Sequence, residues 1–259
     1  MKETALITGA SSGLGKALAE IHAQHGGDLV IVARSVDRLN ALKQNLEKNH
    51  GVSVYVLPKD LSKIDVAEEI YDELRRENIQ VDYLINNAGL GGQGYFHERS
   101  MEQDMNLIMV DIVALTKLTK LFLRDFVKRG SGKILNVSST AALMPAGPLQ
   151  AVYYAAKSYV TALSDGIWQE IQGTGVTITT LMPGGMDTGF AKASNLENTV
   201  LAKAMTFTPE IVAQDGYEAM LRGDMEVVSR LTPEQEIWFK SVPTTPKEII
   251  MKQIFDMQK

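Results

Sequence analysis

The side chains with the clearest chemical potential are Tyr153 and Lys157, four positions apart in a stretch of helical length. That spacing brings both onto one helix face. A phenol with its ordinary pKa of about 10 exchanges protons poorly at neutral pH, and a neighbouring ammonium stabilises the phenolate and draws the pKa toward the working range. The pair is therefore expected to give and take a proton. Taken alone, a Tyr/Lys pair is more often a solvated surface pair, so its weight depends on the company it keeps. Tyr154 stands only three positions before Lys157 and fits the pattern less well.

A second feature lies near the start of the chain. Thr8-Gly9-Ala10-Ser11-Ser12-Gly13-Leu14-Gly15 follows a short apolar run and opens an amphipathic stretch. Small residues at such a strand-to-helix turn let the backbone approach phosphate oxygens, and free amides with the helix dipole favour the negative charge. The alternative is a Gly/Ser-rich turn that only caps a helix. Past the next apolar run come Arg34-Ser35 and, one turn on, Arg38. In dinucleotide folds this point faces the adenine ribose, where a carboxylate selects a free 2′-hydroxyl and arginine accommodates a 2′-phosphate. No Asp or Glu stands at Arg34, which predicts NADP(H) in preference to NAD(H). Asp37 tempers that reading, and an ordinary surface role for Arg34 is the alternative.

The elements that must position these groups follow from the pattern. Apolar runs without polar alternation recur at Ala5–Thr8, Leu29–Ala33, Val52–Leu57, Tyr83–Ile85, Lys133–Val137 and Val176–Leu181, and read as strands buried on both faces. Amphipathic stretches at Gly15–His25, Arg38–Asn49, Ile64–Glu77, Met101–Lys128 and Tyr153–Gln172 read as helices between them. The alternation predicts a single-domain α/β Rossmann-type fold, a doubly wound parallel sheet flanked by helices. No linker or repeat divides residues 1–259. Beyond Leu181 a helix over Pro209–Leu221, a short strand at Glu226–Ser229 and a last helix over Pro246–Met257 are expected, with substrate binding mainly in 184–259.

Composition narrows the field. The chain is 45% hydrophobic and 22% charged, as in ordinary globular proteins. A net charge of −5 without a local basic cluster argues against nucleic-acid binding. Cysteine is absent, so disulfides, thiol nucleophiles and thiolate metal sites are excluded, and a cytoplasmic setting fits best. No signal sequence or apolar run of membrane-spanning length is read, and no membrane partner is expected. His22, His25, His50 and His97 lack ligand spacing, so no metal is predicted and solvated or capping histidines are expected.

These motifs together resemble the short-chain dehydrogenase/reductase family. The landmarks come in its order: the Thr8–Gly15 turn, Asp60-Leu61, Asn86-Asn87-Ala88-Gly89, Asn136-Val137-Ser138-Ser139, Tyr153-x-x-x-Lys157 and Pro183-Gly184, each at a strand's carboxyl end. The resemblance implies that Gly9, Ser11, Ser12, Gly13, Leu14 and Gly15 cradle the cofactor phosphates. It implies too that Asp60 and Leu61 sit at the adenine, that Asn87, Ala88 and Gly89 line the nucleotide cleft, and that Pro183, Gly184 and Thr188 cradle the nicotinamide. Tyr153 and Lys157 would contact both cofactor and reaction centre. Ser139, in preference to Ser138, would orient the substrate oxygen. It precedes Tyr153 by fourteen positions where the family has about thirteen, which implies a one-residue insertion in the Met144–Leu149 loop.

Asp111 stands where the family commonly has an asparagine that holds a water linked to the lysine. It is either a tolerated polar replacement or a partner of Lys157 that alters its effect on Tyr153. The implied function is an NADP(H)-dependent oxidoreductase moving a hydride between nicotinamide and a carbonyl or alcohol. Phe190, Leu196, Phe207 and the Met144–Leu149 loop suggest an apolar small-molecule pocket. The family's long helices suggest a homodimer or homotetramer. A cofactor-binding regulator that has lost catalysis and a sugar-nucleotide epimerase, which uses the same Tyr-x-x-x-Lys pair in a longer chain, are the rivals. The apolar residues around Trp238 and Ile250–Met257 read as a docked terminal helix or subunit contact in preference to a membrane-surface helix.

Overall fold

The computed structural model describes residues 2–186, 189–196, 199 and 207–259. Its centre is a seven-stranded, all-parallel sheet in the order β3-β2-β1-β4-β5-β6-β7. The strands are β1 (Thr4–Thr8), β2 (Asp28–Ala33), β3 (Val54–Pro58), β4 (Tyr83–Asn86), β5 (Gly132–Val137), β6 (Val176–Pro183) and β7 (Glu226–Ser229). In register, Thr8 pairs with Val32, Ile7 with Ile85 and Asn136 with Asn86. The strand order reverses between β1 and β4, the crevice at which doubly wound sheets bind their ligands.

Two-sided burial explains the unbroken apolar runs. Ala5, Ile7, Leu29, Ile31 and Leu135 face one core with helices α1 (Gly13–Gln24), α2 (Val36–His50) and α8 (Pro209–Arg222). Their neighbours Leu6, Val30, Val32, Leu84 and Ile134 face the other core with α3 (Val66–Arg76) and α5 (Leu115–Arg129), to which the end of α6 (Ala151–Glu170) also packs. Alternate residues of each strand thus fill opposite layers.

The stretch Met101–Lys128 is not the single helix its periodicity suggests. It divides into α4 (Met101–Ile108), a π-helical segment Met109–Ala114, and α5. Apolar spacing runs through Leu107, Val110, Ala114, Leu115 and Leu118, so hydropathy carries no trace of the widened turn. Such widened turns are frequent at functional sites, and this one carries Asp111.

Helices α7 (Phe190–Ala193), α9 (Pro233–Ser241) and α10 (Lys247–Met257), with 3-10 turns at Thr140–Leu143 and Val242–Thr244, complete the described elements. Helix α10 docks through Ile250 and Ile254 against Met144, joined by Trp238, Phe239 and Val242 in a cluster separate from the two main cores. Among the described residues no helix is long and apolar enough to cross a membrane.

His22 departs from the expectation of a solvated or capping histidine. It is 1% exposed, bonded to Tyr217 Oη at 2.8 Å and to the Glu3 carbonyl at 3.1 Å. The bond to a carbonyl makes Nε2 the protonated nitrogen and Nδ1 the acceptor. Gly27 leaves room for the ring, since a Cβ there would lie 2.1 Å from Nε2.

Candidate active site

The catalytic candidates are gathered by three neighbouring elements. Tyr153 and Lys157 stand on the first turns of α6, with Lys157 Nζ 5.6 Å from the Tyr153 ring centre. Ser139 follows β5 and caps the 3-10 turn, accepting a hydrogen bond from the Ala141 amide at 3.1 Å, and it also hydrogen-bonds Tyr153. Ser138 is turned the other way. Its hydroxyl donates to the Lys157 carbonyl at 2.9 Å and meets Thr161 Oγ1 at 2.8 Å, which anchors β5 to α6.

Asp111 is wholly buried and forms an ion pair with Lys157, Oδ2 to Nζ at 3.1 Å. Its other oxygen accepts the Leu90 amide at 2.7 Å. Lys157 Nζ donates further to the Val137 carbonyl at 3.2 Å. Gly89 packs against this pair, where a Cβ would stand 3.1 Å from Asp111 Oδ2 and 3.2 Å from Nζ. One carboxylate therefore ties the lysine to the Gly89–Leu90 segment that follows β4. Leu90 and Val137 act here through their backbone, so no side-chain motif points to them.

The electrostatics follow from this packing. Burial works against the Lys157 ammonium, but Asp111 and Tyr153 outweigh it and hold its pKa above the ordinary value. Burial pushes the Asp111 carboxyl up, opposed by Lys157 and the Leu90 amide. Tyr153 corrects the expectation of a phenol drawn toward neutrality. Burial pushes it up; Lys157 and the Ser139 hydrogen bond pull it down, and Asp111 pushes it up again. The lysine acts in the expected direction, but its charge is shared with a carboxylate.

The glycine turn lies at the carboxyl end of β1. Gly9 and Gly13 adopt φ of +68° and +53°. A Cβ at Gly15 would come within 2.4 Å of Gly9 O and Asn87 Nδ2, so only glycine lets the turn fold this tightly onto β4. Ser11, Ser12 and Leu14 complete the turn, and the first turn of α1 carries no acidic residue to compete with an anion. Asn87 spends its amide on the Thr8 and Gly9 carbonyls at 2.9 and 3.4 Å. Thr8 Oγ1 receives the Asn87 and Ala88 amides at 3.0 Å each. Asn87 and Ala88 thus brace the turn from β4. The cradle that a Cβ would fill, and an uncontested helix N-terminus, fit a dinucleotide's pyrophosphate.

Arg34 and Arg38 are exposed where β2 passes into α2, and Arg34 lies near enough to Asp60 to act on its carboxylate. Asp60 receives the Ser62 amide and hydroxyl at 3.0 and 2.9 Å. Burial acts upward on its carboxyl but is outweighed by those bonds and by Arg34, so its pKa lies below the ordinary value. Leu61 beside it is buried. Pro183 ends β6, and Gly184 passes so close to β7 that a Cβ would lie 2.7 Å from the Arg230 carbonyl. Thr188 lies outside the described residues. Phe190 of α7 places its ring 5.7 Å from Tyr153, and Leu196 is buried nearby in sequence. Phe207 bridges to Met186.

Comparison with known proteins agrees with this geometry. The family model described as short chain dehydrogenase matches residues 3–199. The 17-beta-hydroxysteroid dehydrogenase type 3 of Mus musculus is 33% identical over 205 residues, 78% of this chain and 66% of the relative. The very-long-chain 3-oxoacyl-CoA reductase of Mus musculus is 30% identical over 229 residues, 85% of this chain and 71% of the relative. A short-chain dehydrogenase from Sphingobium yanoikuyae, solved in complex with NADPH, superposes with a TM-score of 0.81 at 29% identity, covering 93% of this chain and 92% of that one. The chain belongs to the short-chain dehydrogenase family, and with it to the NAD(P)-dependent oxidoreductases.

Proposed function

We propose that this protein is an NADP(H)-dependent carbonyl reductase or alcohol dehydrogenase acting on an apolar ketone and its alcohol, with Tyr153 as general acid and base. The observation that carries the reading is the convergence of Ser139, Tyr153 and the Lys157–Asp111 pair beside a glycine cradle at the sheet's reversal point. The cofactor, when bound, supplies the hydride for the carbonyl carbon and takes it back in oxidation. In reduction the Tyr153 hydroxyl gives its proton to the carbonyl oxygen, and the Ser139 hydroxyl donates a hydrogen bond to the same oxygen as negative charge develops. The Lys157 ammonium then stabilises the phenolate left behind. Asp111 holds Lys157 in place and tempers that stabilisation.

Preference for NADP(H) is supported by Arg34, exposed where a carboxylate would select NAD(H), and by the related dehydrogenase solved with NADPH. An apolar substrate is supported by Phe190 beside Tyr153 and by the hydroxysteroid and 3-oxoacyl relatives. Cytoplasmic residence is supported by the lack of cysteine, and a homodimer or homotetramer by exposed Val127 on α5 and Tyr159 on α6. Light scattering that finds a monomer would refute the oligomer.

The test is Tyr153→Phe in the purified protein. NADPH fluorescence titration should show unchanged binding, while ketone-dependent NADPH oxidation falls by roughly 10²–10⁴-fold. Retained turnover would remove Tyr153 from its role. A regulator without catalysis is the second reading, favoured by the carboxylate against Lys157. It predicts tight NADPH binding by the wild type with no oxidation across a carbonyl panel.

A further inference from the structure

Gln258, just past α10, is wholly buried although it is polar. Its Nε2 donates to Tyr154 Oη at 3.2 Å, and its backbone carbonyl accepts from Gln93 Nε2 at 2.9 Å. Its own amide closes the helix onto the Ile254 carbonyl at 3.1 Å. Gln258 Oε1 is buried without a partner among the described residues, a costly arrangement for an amide. A position chosen only for packing would carry an apolar side chain.

The two partners belong to two separate segments that adjoin the candidate catalytic residues. Tyr154 is adjacent to Tyr153, their ring centres 6.2 Å apart, and Gly147 lies so tightly on the Tyr154 ring that a Cβ would come within 2.1 Å of it. Gln93 follows the Gly89–Leu90 segment that Asp111 holds. Its carbonyl takes a hydrogen bond from Arg99 at 3.3 Å, and Arg99 is paired with Asp104 of α4 at 2.7 Å. The Gly94 amide donates to the Leu149 carbonyl at 2.9 Å. Gln258 thus sits where α10, the 91–94 segment and the start of α6 meet. Its contacts to Gln93 and Tyr154 are polar links from the α10 cap to a surface the cap also meets through the Met144–Ile250–Ile254 cluster and the Tyr95–Phe255 ring pair, 6.3 Å apart.

We propose that Gln258 is a positioning residue that latches α10 as the far wall of the substrate site and so selects compact ring ketones over extended chains. The proposal rests on the carbonyl-reductase reading above and gives that activity a substrate shape. Phe190 bounds the site beside Tyr153, and the latched α10 fills the space beyond Tyr154. A fused-ring ketone ends against this wall, whereas a long chain must displace it. Of the two relatives' named chemistries, the wall favours the hydroxysteroid over the very-long-chain acyl thioester.

The test uses the full chain, its Gln258→Ala and Tyr154→Phe variants and the double variant, with NADPH and three ketones: α-tetralone, 2-decanone and cyclohexanone. The single variants should raise KM for α-tetralone roughly fivefold with kcat little changed, about the worth of one buried hydrogen bond. Cyclohexanone, too small to reach the wall, should be unaffected, and 2-decanone should be turned over as well as before or better. The double variant should be no worse than either single one, as for two ends of one bond. Hydrogen exchange should quicken at residues 93–94 and in α10 and stay unchanged in the sheet. An unaltered preference among the three ketones, or exchange that is unchanged or quickened throughout, overturns the proposal. If the wild type reduces none of them, the carbonyl-reductase reading fails separately, and the exchange pattern still decides whether Gln258 latches the cap.

Discussion

At the residue scale, the consequential departure is a charge. Asp111 stands where the family commonly has a neutral amide, and it meets Lys157 at 3.1 Å and the Leu90 amide at 2.7 Å. Asp111→Asn keeps an oxygen for Leu90 and removes the charge. Since Asp111 pushes the Tyr153 phenol up and engages the ammonium that pulls it down, the neutral variant should have a lower Tyr153 pKa. Alcohol oxidation needs the phenolate, so the rising limb of its kcat/KM profile should move to lower pH in Asp111→Asn. An unmoved limb would show that Asp111 does not act on the phenol. Asp111→Ala leaves Lys157 buried without its carboxylate and should cost about 3 kcal/mol in denaturant unfolding. At the other end of the cleft, Arg34→Ala should raise the Kd for NADPH roughly tenfold and leave that for NADH within about twofold. Parallel losses for both would deny Arg34 the 2′-phosphate.

At the element scale, the site depends on turns that hold little apolar surface. Gly15→Ala forces a Cβ into Gly9 O and Asn87 Nδ2, and should cost about 1–3 kcal/mol while weakening binding of either nucleotide. Unchanged thermal stability would contradict that close approach. These same turns were the legible part of the site. Glycines at fixed places after a strand, and Tyr and Lys four apart, have few physical explanations when they occur in order. The six strands up to β6 were legible because two-sided burial leaves runs without alternation. The break at Met109–Ala114 was not, because a π turn keeps the buried spacing of Val110 and Ala114 while redirecting Asp111. Helix α9 carries a start signal in its sequence. Thr232-Pro233-Glu234-Gln235 forms a capping box, with Thr232 accepting the Gln235 amide at 3.3 Å and Gln235 accepting the Thr232 amide at 2.9 Å. Backbone partners such as Leu90 and Val137, and long-range contacts such as Gln93 with Gln258, depend on the folded path and leave no local pattern.

At the scale of the whole molecule, the sheet's far end is held by groups that never meet the cleft. His22 on α1, Tyr217 on α8 and Glu3 before β1 are hydrogen-bonded together, and Tyr83 of β4 joins through Glu3. Burial lowers the His22 pKa from its ordinary 6.5. A depressed histidine stabilises the fold fully above its unfolded value, and that contribution is lost as pH falls through the lower folded value. Unfolding free energy should therefore decline as pH drops on the acid side of 6.5, and less steeply in His22→Asn. Equal slopes would place the acid sensitivity elsewhere.

The order of strands brings β1, β4, β5 and the start of α6 to one crevice, and that convergence gives the proposed chemistry its geometry. The most direct measurement is isotopic: NADPH deuterated at nicotinamide C4 on the transferring face is incubated with the protein and α-tetralone. Hydride transfer assisted by Tyr153 predicts deuterium at the carbinol carbon of the product with the wild type, and a rate reduced about a hundredfold or more with Tyr153→Phe. Tight NADPH binding with no deuterium in any alcohol product, from α-tetralone or a broad ketone panel, would contradict it.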